Sequence, residues 1–194
     1  MLNNDLSQQI KRNFPYKPTE EQENAVKSFA EFLFSPSADS VFLMKGYAGT
    51  GKTTLISALV RTLDSLQRKV ILLAPTGRAA KVFSGYAGHP AYTIHKKIYR
   101  QKVFSNETDN FVANQNLHRN TLFIVDEASM IANEGLSGGH FGSGRLLDDL
   151  VQYVYNGLGC RLMLIGDTAQ LPPIGEEESP ALSVAALQGY GLEV

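Results

Sequence analysis

Three glycines, three threonines and a lysine are packed into nine residues, Gly46-Tyr47-Ala48-Gly49-Thr50-Gly51-Lys52-Thr53-Thr54, which follow the pattern G-x-x-x-x-G-K-[ST]. The glycines let the backbone turn tightly and aim several N–H groups at one point, a geometry suited to an anion. Val41, Phe42, Leu43 and Met44 just before form an apolar run of strand type. Residues 54–60 just after read as a helix whose N-terminus faces the same point. A glycine-rich loop joining a strand to a helix constrains this chain to an α/β fold and to one kind of ligand, a nucleoside triphosphate. Gly46, Ala48, Gly49, Thr50, Gly51, Lys52, Thr53 and Thr54 are the candidate contacts. Lys52 is placed for the β- and γ-phosphates and the Thr53 hydroxyl for Mg²⁺.

Four apolar runs, at 41–44, 70–73, 122–125 and 162–165, have the look of buried parallel strands. Helical stretches at 54–66, 77–84 and 145–155 alternate with them, which predicts a parallel sheet flanked by helices through right-handed crossovers. The length, 194 residues, suits one domain with a full core. Residues 1–18 read as a polar lead-in closed by Pro15 and Pro18. Thr19-Glu20-Glu21-Gln22 has the form of a capping box, opening a helix that carries Ala25, Val26, Phe29, Phe32 and Leu33. Two stretches break the rhythm. Residues 99–104 and 111–115 flank a polar turn and read as a β-hairpin insertion, about 99–115. Residues 135–144, with five glycines, read as a surface loop.

No apolar run approaches the roughly 20 residues that span a bilayer, and no basic-then-apolar leader opens the chain. The lone Cys160 reads as a buried thiol in a reducing compartment, so the expected location is cytoplasmic, with no membrane partner. Net charge is −1, yet between Arg61 and Arg119 ten basic residues stand against three acidic ones. Such an imbalance suggests a surface for a polyanion, with solvated helix faces as the plain alternative.

Further polar clusters follow the apolar runs. Ile124-Val125-Asp126-Glu127 delivers two carboxylates to the C-terminal end of a strand, where open α/β sheets bind ligands. Asp126 is the candidate metal carboxylate and Glu127 the candidate general base. Gly166-Asp167-Thr168-Ala169-Gln170 ends another strand and brings Asp167 and Gln170 toward the γ-phosphate, where an amide can sense phosphate or water. Pro75, Thr76, Gly77, Arg78 and Lys81, with Thr93, His95 and Lys96, lie within the basic stretch and are the candidate nucleic-acid contacts.

Taken together, in this order and spacing, these segments resemble the first RecA-like domain of superfamily 1 helicases, and most closely the superfamily 1B, RecD-like DNA helicases. The loop 46–54 is similar to motif I, 74–81 to Ia, 93–96 to Ib, 126–129 to II and 166–173 to III. The resemblance covers residues 14–178. It implies a P-loop NTPase of RecA-like fold that binds ATP and Mg²⁺ and moves 5′ to 3′ on single-stranded DNA, with Lys52, Glu127 and Gln170 as the catalytic group. It implies adenine contact for Gln22, which also completes the capping box. The 99–115 insertion falls where this branch carries a strand-separating pin. Residues 19–194 would then be the first RecA-like domain. Motifs IV to VI have no counterpart in the chain, so the expected partners are a second RecA-like domain and subunits of repair or recombination complexes. Two other readings stay open: a self-sufficient PhoH-like ATPase, and a nucleotide-gated nucleic-acid-binding module.

Overall fold

The computed structural model describes residues 2–101, 111–133 and 142–194. In chain order the helices are α1 (Leu2–Arg12), α2 (Glu20–Leu33), α3 (Lys52–Ser65), α4 (Gly77–Ala87), α5 (Ile94–Ile98), α6 (Leu146–Tyr155) and α7 (Val184–Gln188). The strands are β1 (Val41–Lys45), β2 (Lys69–Ala74), β3 (Ala91–Thr93), β4 (Tyr99–Gln101), β5 (Phe111–Ala113), β6 (Thr121–Val125) and β7 (Arg161–Gly166). Five of them form a parallel sheet in the order β1-β7-β6-β2-β3. The four expected strands are all present. The fifth, β3, is a three-residue edge strand too short and too polar to stand out as an apolar run.

Side chains alternate across the pleat, so each central strand serves two cores. Leu122 and Ile124 face α1 to α4, while Phe123 and Val125 face α5 to α7. Burial on both faces is why these strands read as unbroken apolar runs.

The first eighteen residues depart from the expected polar lead-in. Residues 2–12 form a helix whose Leu6 and Ile10 are buried against α2 and α3, with Phe14 behind them. Their spacing of four is the helical signal, thin because every position between is polar or charged.

The hairpin insertion is observed at its base. β4 and β5 pair antiparallel, with Tyr99 opposite Ala113 and Gln101 opposite Phe111. Its turn, 105–110, and most of the glycine-rich stretch 135–144 lie outside the described residues. Tyr99 donates its hydroxyl to Asp149 on α6 at 2.6 Å, and the Ser143 amide donates to the same oxygen at 2.9 Å. The Gly142 amide donates to the Phe111 carbonyl at 2.9 Å, so hairpin base and loop end are fastened together on α6.

Candidate active site

All three chemistry-bearing segments emerge at the C-terminal edge of adjacent strands β1, β7 and β6. The loop after β1 is tied to its neighbour by the Gly46 amide, which donates to the Gly166 carbonyl at 3.2 Å. Helices α2, α4 and α5 each begin with a threonine whose hydroxyl accepts a first-turn amide. Helix α3 instead begins behind Gly51, with no side-chain cap. Its first-turn N–H groups therefore face the loop unclaimed by a capping side chain, the arrangement that suits an anion.

Gly51 has φ of +80°, and a Cβ there would come within 2.4 Å of the Gln22 Nε2. The left-handed conformation thus favours glycine at this position, whereas the Gln22 amide could shift aside. Lys52 donates to the carbonyls of Gly46 and Tyr47, the latter at 2.7 Å, and Thr50 Oγ1 donates to the Tyr47 carbonyl at 2.8 Å. An ammonium held only by carbonyls of its own loop can exchange them for phosphate oxygens. The hydroxyl of the next residue, Thr53, is exposed on the first turn of α3.

Asp126 follows the end of β6. Its Oδ1 accepts the Glu127 amide at 2.9 Å and its Oδ2 accepts the Tyr86 hydroxyl at 2.6 Å. Burial pushes the Asp126 carboxyl upward from the ordinary range, against the pull of those two hydrogen bonds and of Lys52. Burial, then the Asp126 charge, drives the Tyr86 phenol far above its usual value, so it remains the donor. Glu127 sits in the left-handed region at φ 54°, and its Oε2 accepts Gln170 Nε2 at 2.9 Å. Gln170 Oε1 in turn accepts the hydroxyl of buried Ser129. One amide thereby bridges the segments after β6 and β7, fixing which end of Gln170 faces Glu127. Asp167 is buried, and its Oδ1 accepts the Ala169 amide at 2.8 Å.

The structure brings Lys52, Asp126, Glu127 and Gln170 to one edge and adds Tyr86 and Ser129. Tyr86 carries no motif that could single it out, and its role comes only from the packing of α4. Gln22 is buried with its amide engaged at both ends: Oε1 accepts the Thr19 amide at 3.0 Å and Nε2 donates to the Gly51 carbonyl at 3.4 Å. The capping box is therefore formed, directly beneath the loop.

The nucleic-acid candidates divide. Thr76 and Thr93 are N-caps, accepting the Ala79 and Lys96 amides at 3.2 Å each. Gly77, Arg78, Lys81 and Lys96 are exposed, and Pro75 joins β2 to α4. His95 packs its ring 5.6 Å from that of Tyr99, and burial lowers its pKa. Thr76 and Arg78 also line a cleft of about 380 Å³ together with Asp126, Glu127, Met130 and Gln170. The start of α4 is thus beside the carboxylates rather than remote from them.

Among the described residues no cluster of three or more His, Cys, Asp or Glu could hold a metal by itself. Thr53 and Asp126 supply a hydroxyl and a carboxylate, the hard oxygen donors that fit a Mg²⁺ carried mainly by phosphates and water. No helix among the described residues is long and apolar enough to cross a membrane.

Residues 17–190 match the AAA domain family. The chain is 31% identical over 157 residues to the ATP-dependent RecD2 DNA helicase of Deinococcus radiodurans, covering 80% of this chain and 19% of that protein. It is 30% identical over 139 residues to the ATP-dependent DNA helicase Pif1 of Bdellovibrio bacteriovorus, covering 71% of this chain and 30% of that protein. The Pif1 helicase from Candida albicans superposes with a TM-score of 0.52 at 19% identity, over 89% of this chain and 38% of that one, and shares its fold. The chain spans about a third or less of the length of the first curated relatives it matches.

Proposed function

Because this chain belongs to the AAA domain family, as a RecA-like domain of the superfamily 1B type, we propose that it is the ATP-binding motor domain of a DNA helicase. It hydrolyses ATP to move 5′ to 3′ on single-stranded DNA, acting with a second RecA-like domain. The observation that carries this reading is the convergence of Lys52, Asp126, Glu127 and Gln170 at one sheet edge, with Gln170 bonded to Glu127 at 2.9 Å.

Lys52 and the first-turn amides of α3 hold the β- and γ-phosphates. Thr53 and Asp126 would hold Mg²⁺, which would offset the negative charge of the phosphate oxygens. Glu127 takes the proton of the attacking water, oriented by Gln170, and Asp167 steadies the turn that presents Gln170. Gln22, under the loop, reads adenine by giving up one of its amide's contacts with Thr19 or Gly51. The exposed residues Gly77, Arg78, Lys81 and Lys96, with Pro75, Thr76, Thr93 and His95, meet the DNA backbone. The hairpin rooted in β4 and β5 is the strand-separating pin, and repair or recombination subunits are the proposed larger partners.

Steady-state ATP hydrolysis by the 194-residue chain, with and without a short single-stranded DNA, tests the reading. Nucleotide–Mg²⁺ binding with near-zero turnover supports a motor domain that needs its second half. Vigorous turnover, on the order of 10 s⁻¹, an ordinary enzyme value, would instead favour a self-sufficient single-domain ATPase.

A further inference from the structure

The proposed metal carboxylate, Asp126, has a partner on an element outside the loop and the strand ends. Tyr86 lies in the last turn of α4 and reaches Asp126 Oδ2 at 2.6 Å, while the Glu127 amide holds Oδ1 at 2.9 Å. With one donor on each oxygen, the plane of the carboxylate is set, and each oxygen keeps a lone-pair direction for a further ligand. The phenol cannot swing away easily. Its ring packs on Phe83 with centroids 5.2 Å apart, and Phe83 is fully buried in the core between α4 and the sheet. Tyr86 also lines the same cleft, about 530 Å³, as Thr53 and Thr54 on the first turn of α3. It therefore touches Asp126 through its hydroxyl while lining a cleft with Thr53, the other side chain offered to the cation.

We propose that Tyr86 is a positioning residue for the nucleotide-bound divalent cation: its hydroxyl orients the Asp126 carboxylate toward the cation shared with Thr53. This rests on the ATP-site reading above. Partners that orient a ligating carboxylate typically change metal affinity about tenfold or more when removed.

Tyr86→Phe keeps the ring on Phe83 and removes only the donor. The probe is Mn²⁺, titrated by electron paramagnetic resonance into the chain saturated with a non-hydrolysable ATP analogue. Binding of a fluorescent ATP analogue in EDTA is measured alongside. The expected result is an Mn²⁺ dissociation constant about tenfold weaker, with metal-free nucleotide affinity within about twofold of the parent. In an Asp126→Asn background, Tyr86→Phe should weaken Mn²⁺ binding no further, since the carboxylate it orients is gone. An unchanged Mn²⁺ constant, or an equal and additive loss in the Asp126→Asn background, overturns the assignment of Tyr86. Failure of the parent chain to bind nucleotide at all would be a different result, and would overturn the ATP-site reading itself.

Discussion

Lys52 and Arg161 stand at opposite ends of two neighbouring parallel strands and handle their charge in opposite ways. Arg161 opens β7. Its guanidinium donates to the carbonyls of Phe32 and Ser35 and to Ser40 Oγ, and lies 5.5 Å from the centroid of the Phe32 ring. A planar fork with several fixed partners pins the segment between α2 and β1 to the sheet, and no ligand could take its place without unfastening that segment. Lys52, beyond the far end of β1, is a point charge on a flexible stem, whose hydrogen bonds among the described residues go to carbonyls of the loop it belongs to. At one end the protein has satisfied its cation for good. At the other it has left one that can change partners, beside a helix N-terminus without a cap. A functional charge in this fold is recognised less by its sign than by how replaceable its partners are.

That contrast can be broken by substitution. Changes at the C-terminal edge should alter nucleotide chemistry and spare stability; changes elsewhere should do the reverse. The largest effect is expected for Glu127→Gln, which should lower DNA-stimulated ATP hydrolysis about 10² to 10⁴-fold while leaving ATP affinity near that of the parent. Undiminished turnover would remove Glu127 as the base. Next is Ile10→Ala, which empties a fully buried position under α1. It should cost about 2 to 5 kcal/mol in denaturant unfolding, and a loss under about 1 kcal/mol would mean that α1 is dispensable to the fold. Arg161→Ala removes the pin between α2 and β1. The expected loss is about 2 to 3 kcal/mol of stability, from hydrogen bonds made by a charged group, with nucleotide affinity unchanged. Weaker nucleotide binding at unchanged stability would erase the distinction between the two cations.

The phosphate loop was legible because its geometry is local: glycines, a lysine and a threonine at fixed spacing can be read without knowing what lies across the sheet. The same holds for the strands β1, β2, β6 and β7, whose burial on both faces writes itself as apolar runs. Residues whose meaning depends on a distant neighbour were not legible. Tyr86 is one of eight tyrosines until the packing of α4 sets it against Asp126, forty residues away in the chain. Nothing in the sequence singles out Arg161, whose partners on the segment 32–40 come together only through the parallel pairing of β1 with β7. α1 was missed because Leu6 and Ile10 stand alone among polar residues. Gln22 shows the opposite difficulty: the capping box read from the sequence is present, and the contact to Gly51 that places it beneath the loop is tertiary.

The most direct test of the central claim, that the uncapped end of α3 and its lysine form a triphosphate site, is a titration of a fluorescent ATP analogue with Mg²⁺ into the parent chain and into Lys52→Ala, with melting temperatures recorded for both. Saturable binding by the parent is expected, weakened about a hundredfold in Lys52→Ala, the worth of roughly 3 kcal/mol of charge-assisted contact, at an unchanged melting temperature. Equal affinity in the two proteins would contradict it.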